Sequence, residues 1–196
     1  MPVVRTFIAV LLTAELRSKI VEVQEQFRAA APRVKWVAEG NLHVTLKFLG
    51  DVGDDRLGEI CAALEKATVG ASPFRLVVSG AGAFPNLHRP RVVWIGLGSG
   101  ADSLTAIAGN VESELAALGY SKEERPFSAH ITIGRVRPET RVDDLTSAMQ
   151  TAGIAEIGDL EVKSIALMKS DLRREGPVYS ILKEITFDRP QGGSGF

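Results

Sequence analysis

One cysteine in 196 residues, Cys61, leaves no partner for an intramolecular disulfide and suits a reducing compartment. An excess of either charge is also missing: 23 Lys and Arg stand against 24 Asp and Glu, a net charge of −1. Proteins that coat long stretches of nucleic acid carry a basic surplus. A nucleic-acid substrate would therefore be gripped here at one phosphate rather than along its backbone. Long apolar runs are absent too. The unbroken stretch from Phe7 to Leu12 is shorter than the roughly 7–15 residues of a signal-peptide core and far below the ~20 that span a membrane, and Glu15, Arg17 and Lys19 follow at once. It reads as a buried first strand in a soluble protein of the cytoplasm.

What is present is an interleaving of short strands and amphipathic helices. Leu16, Ile20, Val23 and Phe27 recur at helical spacing, as do Leu57, Ile60, Cys61 and Leu64. Leu104, Ile107, Val111, Leu115 and Leu118 line a third helix, entered at Asp102 or Ser103 and stopped by Gly119; Val142, Leu145 and Met149 mark a fourth. Asp54 or Asp55 is the expected cap of the second helix. Strands are expected at 34–37, 43–49, 74–78, 91–97, 129–136, 160–168 and 178–187, several joined by short connections. That order predicts an α+β fold, bilobal, with two mainly antiparallel sheets, helices on the outer faces and a central cleft. Residues 1–190 form one such domain, and the Gly-rich 191–196 is a flexible tail.

Two of the three histidines sit in matching settings: Leu42-His43-Val44-Thr45-Leu46 and Ala129-His130-Ile131-Thr132-Ile133. Strand side chains two apart share a face, so His43 projects with Thr45 and His130 with Thr132. Opening a cyclic phosphodiester needs one group to take a proton from water and another to protonate the departing oxygen, roughly in line. Imidazoles, with an ordinary pKa of about 6.5, can do both. The threonine hydroxyls can bind the non-bridging phosphate oxygens. No cofactor and no metal is required.

By the same alternation Lys47 shares the His43–Thr45 face and Phe48 points into the core. Arg135 lies opposite His130 unless Gly134 permits a bulge, and Arg5 opens the first strand. His88 falls in a Pro- and Asn-containing loop, and no two histidines have the close spacing of a zinc site. Gly96-Leu-Gly98-Ser-Gly100 lacks the third glycine of a dinucleotide loop and the Lys-Ser/Thr of a phosphate loop, and reads as a strand-to-helix turn.

The chain resembles the two-histidine phosphoesterases, and within them the RNA 2′,3′-cyclic phosphodiesterases, also called 2′-5′ RNA ligases. The likeness covers, in order, Arg5 to Val10, Asn41 to Gly50, Phe84-Pro-Asn with Arg89 to Gly96, and Arg125 to Val136. It departs at Ala129, where the family commonly has proline. The resemblance implies His43 as proton donor to the leaving ribose oxygen, His130 as proton acceptor from water, and a 2′-phosphate product. It implies Thr45 and Thr132 on the phosphate and favours an arginine at Arg135; Arg5, from its place at the opening of the first strand, is either a further substrate contact lining the same cleft or a surface residue. RNA ends or small nucleotides bearing a 2′,3′-cyclic phosphate are the expected partners, the chain acts as a monomer, and reverse 2′-5′ ligation comes with the family. A module that holds the phosphate end without turnover and a phosphodiesterase for a small cyclic nucleotide are the alternatives.

Overall fold

The computed structural model describes residues 2–31, 33–137, 143–152 and 155–187. In chain order the elements are β1 (Val3–Leu11), α1 (Ala14–Arg28), β2 (Lys35–Trp36), β3 (His43–Gly53), α2 (Leu57–Ala67), β4 (Phe74–Phe84) and β5 (Val92–Leu97). They continue with α3 (Ala101–Ala117), β6 (His130–Arg135), α4 (Asp143–Ala152), β7 (Glu156–Val162), β8 (Ser164–Leu172) and β9 (Pro177–Thr186). The fold is mixed, with few helices and a curled antiparallel sheet. Where two sheets are expected from the sequence, the structure has one, ordered β7-β4-β5-β6-β3-β1-β8-β9 with β2 added on β6. The join is the pair Val44–Ile131 between β3 and β6.

That join lies on an internal repeat. Val44 and Ile131 hold the same place in the two His-x-Thr motifs, so the strands pair about a pseudo-twofold. On one side β3 leads to β1, β8 and β9; on the other β6 leads to β5, β4 and β7. The helices repeat as well. Leu16, Ile20, Val23 and Phe27 of α1 are buried, and so, 88 residues on, are Leu104, Ala108, Val111 and Leu115 of α3. Two of the helices reach across between the halves. α1, which follows β1, packs against β7 and α4 of the β6 side, while α3, which follows β5, packs against β3 as well as β4.

Three local expectations change. α2 is preceded by a 3-10 turn at Asp54–Arg56, so neither aspartate caps it. α3 starts at Ala101 behind Gly100, whose left-handed backbone (φ 91°) turns the chain off the sheet without a side-chain cap. The apolar run 160–168 divides into β7 and β8 at Lys163. Leu145 and Met149 of α4 are buried as expected; Val142 and the stretch 191–196 lie outside the described residues.

Gly100 and Gly119 separate two requirements. Both have positive φ, but a Cβ on Gly100 would collide with the Arg75 carbonyl oxygen, whereas one on Gly119 meets open space. Gly119→Ala should cost about 1 kcal/mol for the backbone alone, and Gly100→Ala more than about 2 kcal/mol. Urea unfolding of the two variants checks that order.

Candidate active site

β3 and β6 carry the two motifs side by side. Their antiparallel register about Val44–Ile131 sets His43 alongside Thr132 and Thr45 alongside His130. Within each strand the apolar neighbours, Val44 and Leu46 or Ile131 and Ile133, are buried on the helix side. Each His-x-Thr pair is thereby forced onto the opposite face, where both side chains are half-buried.

Each imidazole is fixed from behind. His43 Nδ1 donates to the Asn41 carbonyl at 2.7 Å, and His130 Nδ1 donates to the Ser128 carbonyl at 2.7 Å. A carbonyl only accepts, so in the neutral rings Nδ1 carries the hydrogen and Nε2 the lone pair. His43 Nε2 lies 2.9 Å from Thr45 Oγ1. His130 Nε2 has no protein partner among the described residues. Asn41 is itself anchored, its side chain donating to the Pro177 carbonyl at the start of β9.

Aromatic rings flank both histidines. Phe7 and Tyr179 lie 4.9 and 5.4 Å from His43, Tyr179 edge-on at 88°. Phe84 stands edge-on to His130 at 5.0 Å, with Trp94 at 6.4 Å. The rings displace water, and this burial is the main reason both imidazoles titrate below the ordinary 6.5. The backbone carbonyls pull the other way, and the positive charge of Arg135 lowers both further. For His43 the neighbouring His130 adds to that lowering.

Arg135 reaches this face because β6 bulges. Trp94 pairs with Thr132 but Val93 pairs with Gly134, so Ile133 is an extra residue and the alternation resets behind it. Arg135 then falls on the His130–Thr132 side, exposed. β3 does the same at the equivalent place. Ile8 pairs with Lys47 but Ala9 with Thr45, leaving Leu46 extra. The positions expected for Lys47 and Phe48 are therefore reversed. Lys47 is 4% exposed on the helix side, its ammonium held by Glu112 and the Ser121 carbonyl, both at 2.9 Å. Phe48 is 60% exposed on the histidine face, its ring 5.9 Å from Phe7. Phe48 and Arg135 are thus equivalent positions of the two repeats.

Comparison with known proteins meets the same twofold pattern. The model of the LigT-like phosphoesterase family matches the chain twice, over residues 10–94 and 95–179. The chain belongs to the LigT-like phosphoesterase family. It is 35% identical to the RNA 2′,3′-cyclic phosphodiesterase of Aeropyrum pernix over 85% of this chain and 94% of that one. It is also 35% identical to that of Archaeoglobus fulgidus, over 91% and 98%. Its fold superposes on E. coli LigT complexed with 3′-AMP with a TM-score of 0.77 and 27% identity, covering 96% and 100% of the two chains.

In this LigT-like phosphoesterase the remaining candidates divide. Arg5 lies on the histidine face of β1 with Phe7 and Ala9, bordering a polar hollow with Asp51, Lys169 and Ser170. Its charge lowers the pKa of the Tyr179 hydroxyl, against the burial that raises it. His88 is exposed in the β4–β5 loop. Among the described residues no three His, Cys, Asp or Glu side chains cluster as metal ligands would. Ala129 packs against the main core, and the strand still begins at His130. Gly96–Gly100 ends β5 and turns into α3. Sequence reasoning missed Tyr179, Asn41, Ser128 and the aromatic flank of each histidine. The only local signal for the carbonyls is their shared place two residues before each histidine.

Because both folded-state values lie below the unfolded one, the native state binds fewer protons. The associated stability is present above the unfolded pKa and is lost as the pH falls through the folded values. In an NMR titration both imidazoles should protonate below 6.5, and Arg135→Gln, by removing a cation, should raise both. Unchanged values in the variant would place that guanidinium away from the site.

Proposed function

We propose that this protein hydrolyses the 2′,3′-cyclic phosphate at RNA ends to a 2′-phosphate, with His43 as proton donor and His130 as proton acceptor. The observation that carries the reading is the pair of His-x-Thr motifs on one face, each imidazole tied through Nδ1 to a backbone carbonyl so that Nε2 is the nitrogen left for chemistry with side chains or substrate. His130 Nε2 takes a proton from water as the water oxygen attacks phosphorus. The P–O3′ bond breaks opposite, and O3′ receives the proton carried by His43 Nε2. Thr45, Thr132 and Arg135 bind the non-bridging oxygens, where negative charge is greatest in the transition state. The greater enclosure of His43, bonded through Nε2 to Thr45, favours it as the donor. The unpartnered Nε2 of His130 favours it as the group that meets water.

Phe48 offers an exposed ring on the same face for the terminal base, and Arg5 lies near enough to Tyr179 to meet a second phosphate. Residues 1–190 act as one bilobal domain with the helices outside and the cleft between the lobes. The chain works as a cytoplasmic monomer without a cofactor, and reverse 2′-5′ ligation runs the same steps backwards. The curated relatives named RNA 2′,3′-cyclic phosphodiesterase support the substrate class.

The test is a short RNA with a 2′,3′-cyclic end incubated with the protein and excess chelator. A 2′-monoester is expected. A 3′-monoester would reverse the leaving group, and no reaction would favour a binding module. His43→Ala and His130→Ala should each lower kcat by roughly 10²–10⁴-fold, Thr45→Val and Thr132→Val by less. Phe48→Ala should raise KM more than it lowers kcat. The pH–rate profile should be bell-shaped. Its alkaline limb should lie higher in kcat than in kcat/KM, since bound phosphate adds a negative charge that the free enzyme lacks.

A further inference from the structure

The only buried polar side chain on α1 is unexplained by core packing. Gln24 is 1% exposed on a helix face otherwise formed by Leu16, Ile20, Val23 and Phe27. A carboxamide in such a place costs stability unless it is bonded. Its Nε2 donates to two backbone carbonyls, Ile133 at 2.8 Å and Val37 at 2.9 Å. Ile133 is the extra residue of the β6 bulge. Its carbonyl also accepts from the Val37 amide at 2.9 Å. Two donors thus converge on the carbonyl oxygen of the extra residue, on the β2 side of the strand. The other repeat has an equivalent: 88 residues on, Glu112 of α3 holds Lys47, the residue next to the extra Leu46 of β3.

We propose that Gln24 is a positioning residue for phosphate binding: by holding the Ile133 carbonyl it keeps the β6 bulge in place, and the bulge delivers Arg135 to the histidine face. Without the bulge, strict alternation turns Arg135 to the side opposite His130. Gly134 is the hinge of this device. A Cβ there would sit 2.8 Å from Val34 Cγ1 and 3.0 Å from the Trp36 ring, so any larger residue would push these side chains from their places over the bulge. Gln24 touches no reacting atom; it acts through Arg135. The inference rests on the assignment of Arg135 to phosphate.

A double-mutant cycle separates this role from a merely structural one. Gln24→Met keeps length and removes both donors. In otherwise unchanged protein it should lower kcat/KM for a 2′,3′-cyclic phosphate RNA about tenfold or more, in line with the cost of misplacing a contact by ~1 Å. In an Arg135→Ala background it should lower it less than twofold, because the contact it positions is already gone. The imidazoles of folded Gln24→Met should also titrate higher, as in Arg135→Gln. Gln24→Asn keeps a donor with shorter reach and provides the same cycle, with a smaller first step, should Gln24→Met not fold. Equal losses with and without Arg135, or no loss in either, would overturn the proposal. An Arg135→Ala variant with unaltered kcat/KM would overturn the assignment of Arg135 itself, and the role of Gln24 with it.

Discussion

The pairing of Val44 with Ile131 is the constraint on which the rest depends. It is the single paired position between β3 and β6, and it joins a half of four strands to a half of five in one sheet. A shift of one residue would turn one His-x-Thr pair into the core and its apolar neighbours into the site. Burial forbids that shift: Val44, Leu46, Ile131 and Ile133 all pack beneath the sheet. The placement of the two His-x-Thr pairs is therefore specified by hydrophobic side chains on the opposite face of the sheet.

Polar groups beneath the sheet do the second part of the work. Each motif strand bulges at its fourth residue, and each bulge is steadied from the helix of the opposite half, by Gln24 under β6 and by Glu112 with Lys47 under β3. The two bulges deliver different chemistry, a guanidinium from one repeat and a phenyl ring from the other. The symmetric frame thus supports an asymmetric site. The desolvation of both imidazoles has the same double origin, Phe7 and Tyr179 on one side and Phe84 and Trp94 on the other.

Much of this was legible from residues one to four apart. The stripe Leu16, Ile20, Val23, Phe27 names a helix, and His-x-Thr inside an apolar strand names a shared face; both are local periodicities. What could not be read is set by partners far along the chain. Lys47 and Phe48 exchange sides because of a bulge whose supports, Glu112 and Ser121, lie 65 and 74 residues away. Gln24 looks like any polar helix residue until its partner 109 residues on is known. Two sheets were expected because nothing local distinguishes a single joining pair from none.

The reach of helices across the halves bears on ancestry. Neither half covers its own sheet alone: α1 lies under β7 of the second repeat, and α3, besides packing on β4 of its own half, reaches under β3 of the first. A polypeptide of half this length would leave an apolar face open, and two copies crossing helices would close both. Joined end to end, such a pair needs only a linker to become one chain, and its two histidines then cease to be interchangeable. From that point mutation can act on one motif without the other, and the equivalent positions Phe48 and Arg135 are free to carry a ring on one side and a guanidinium on the other.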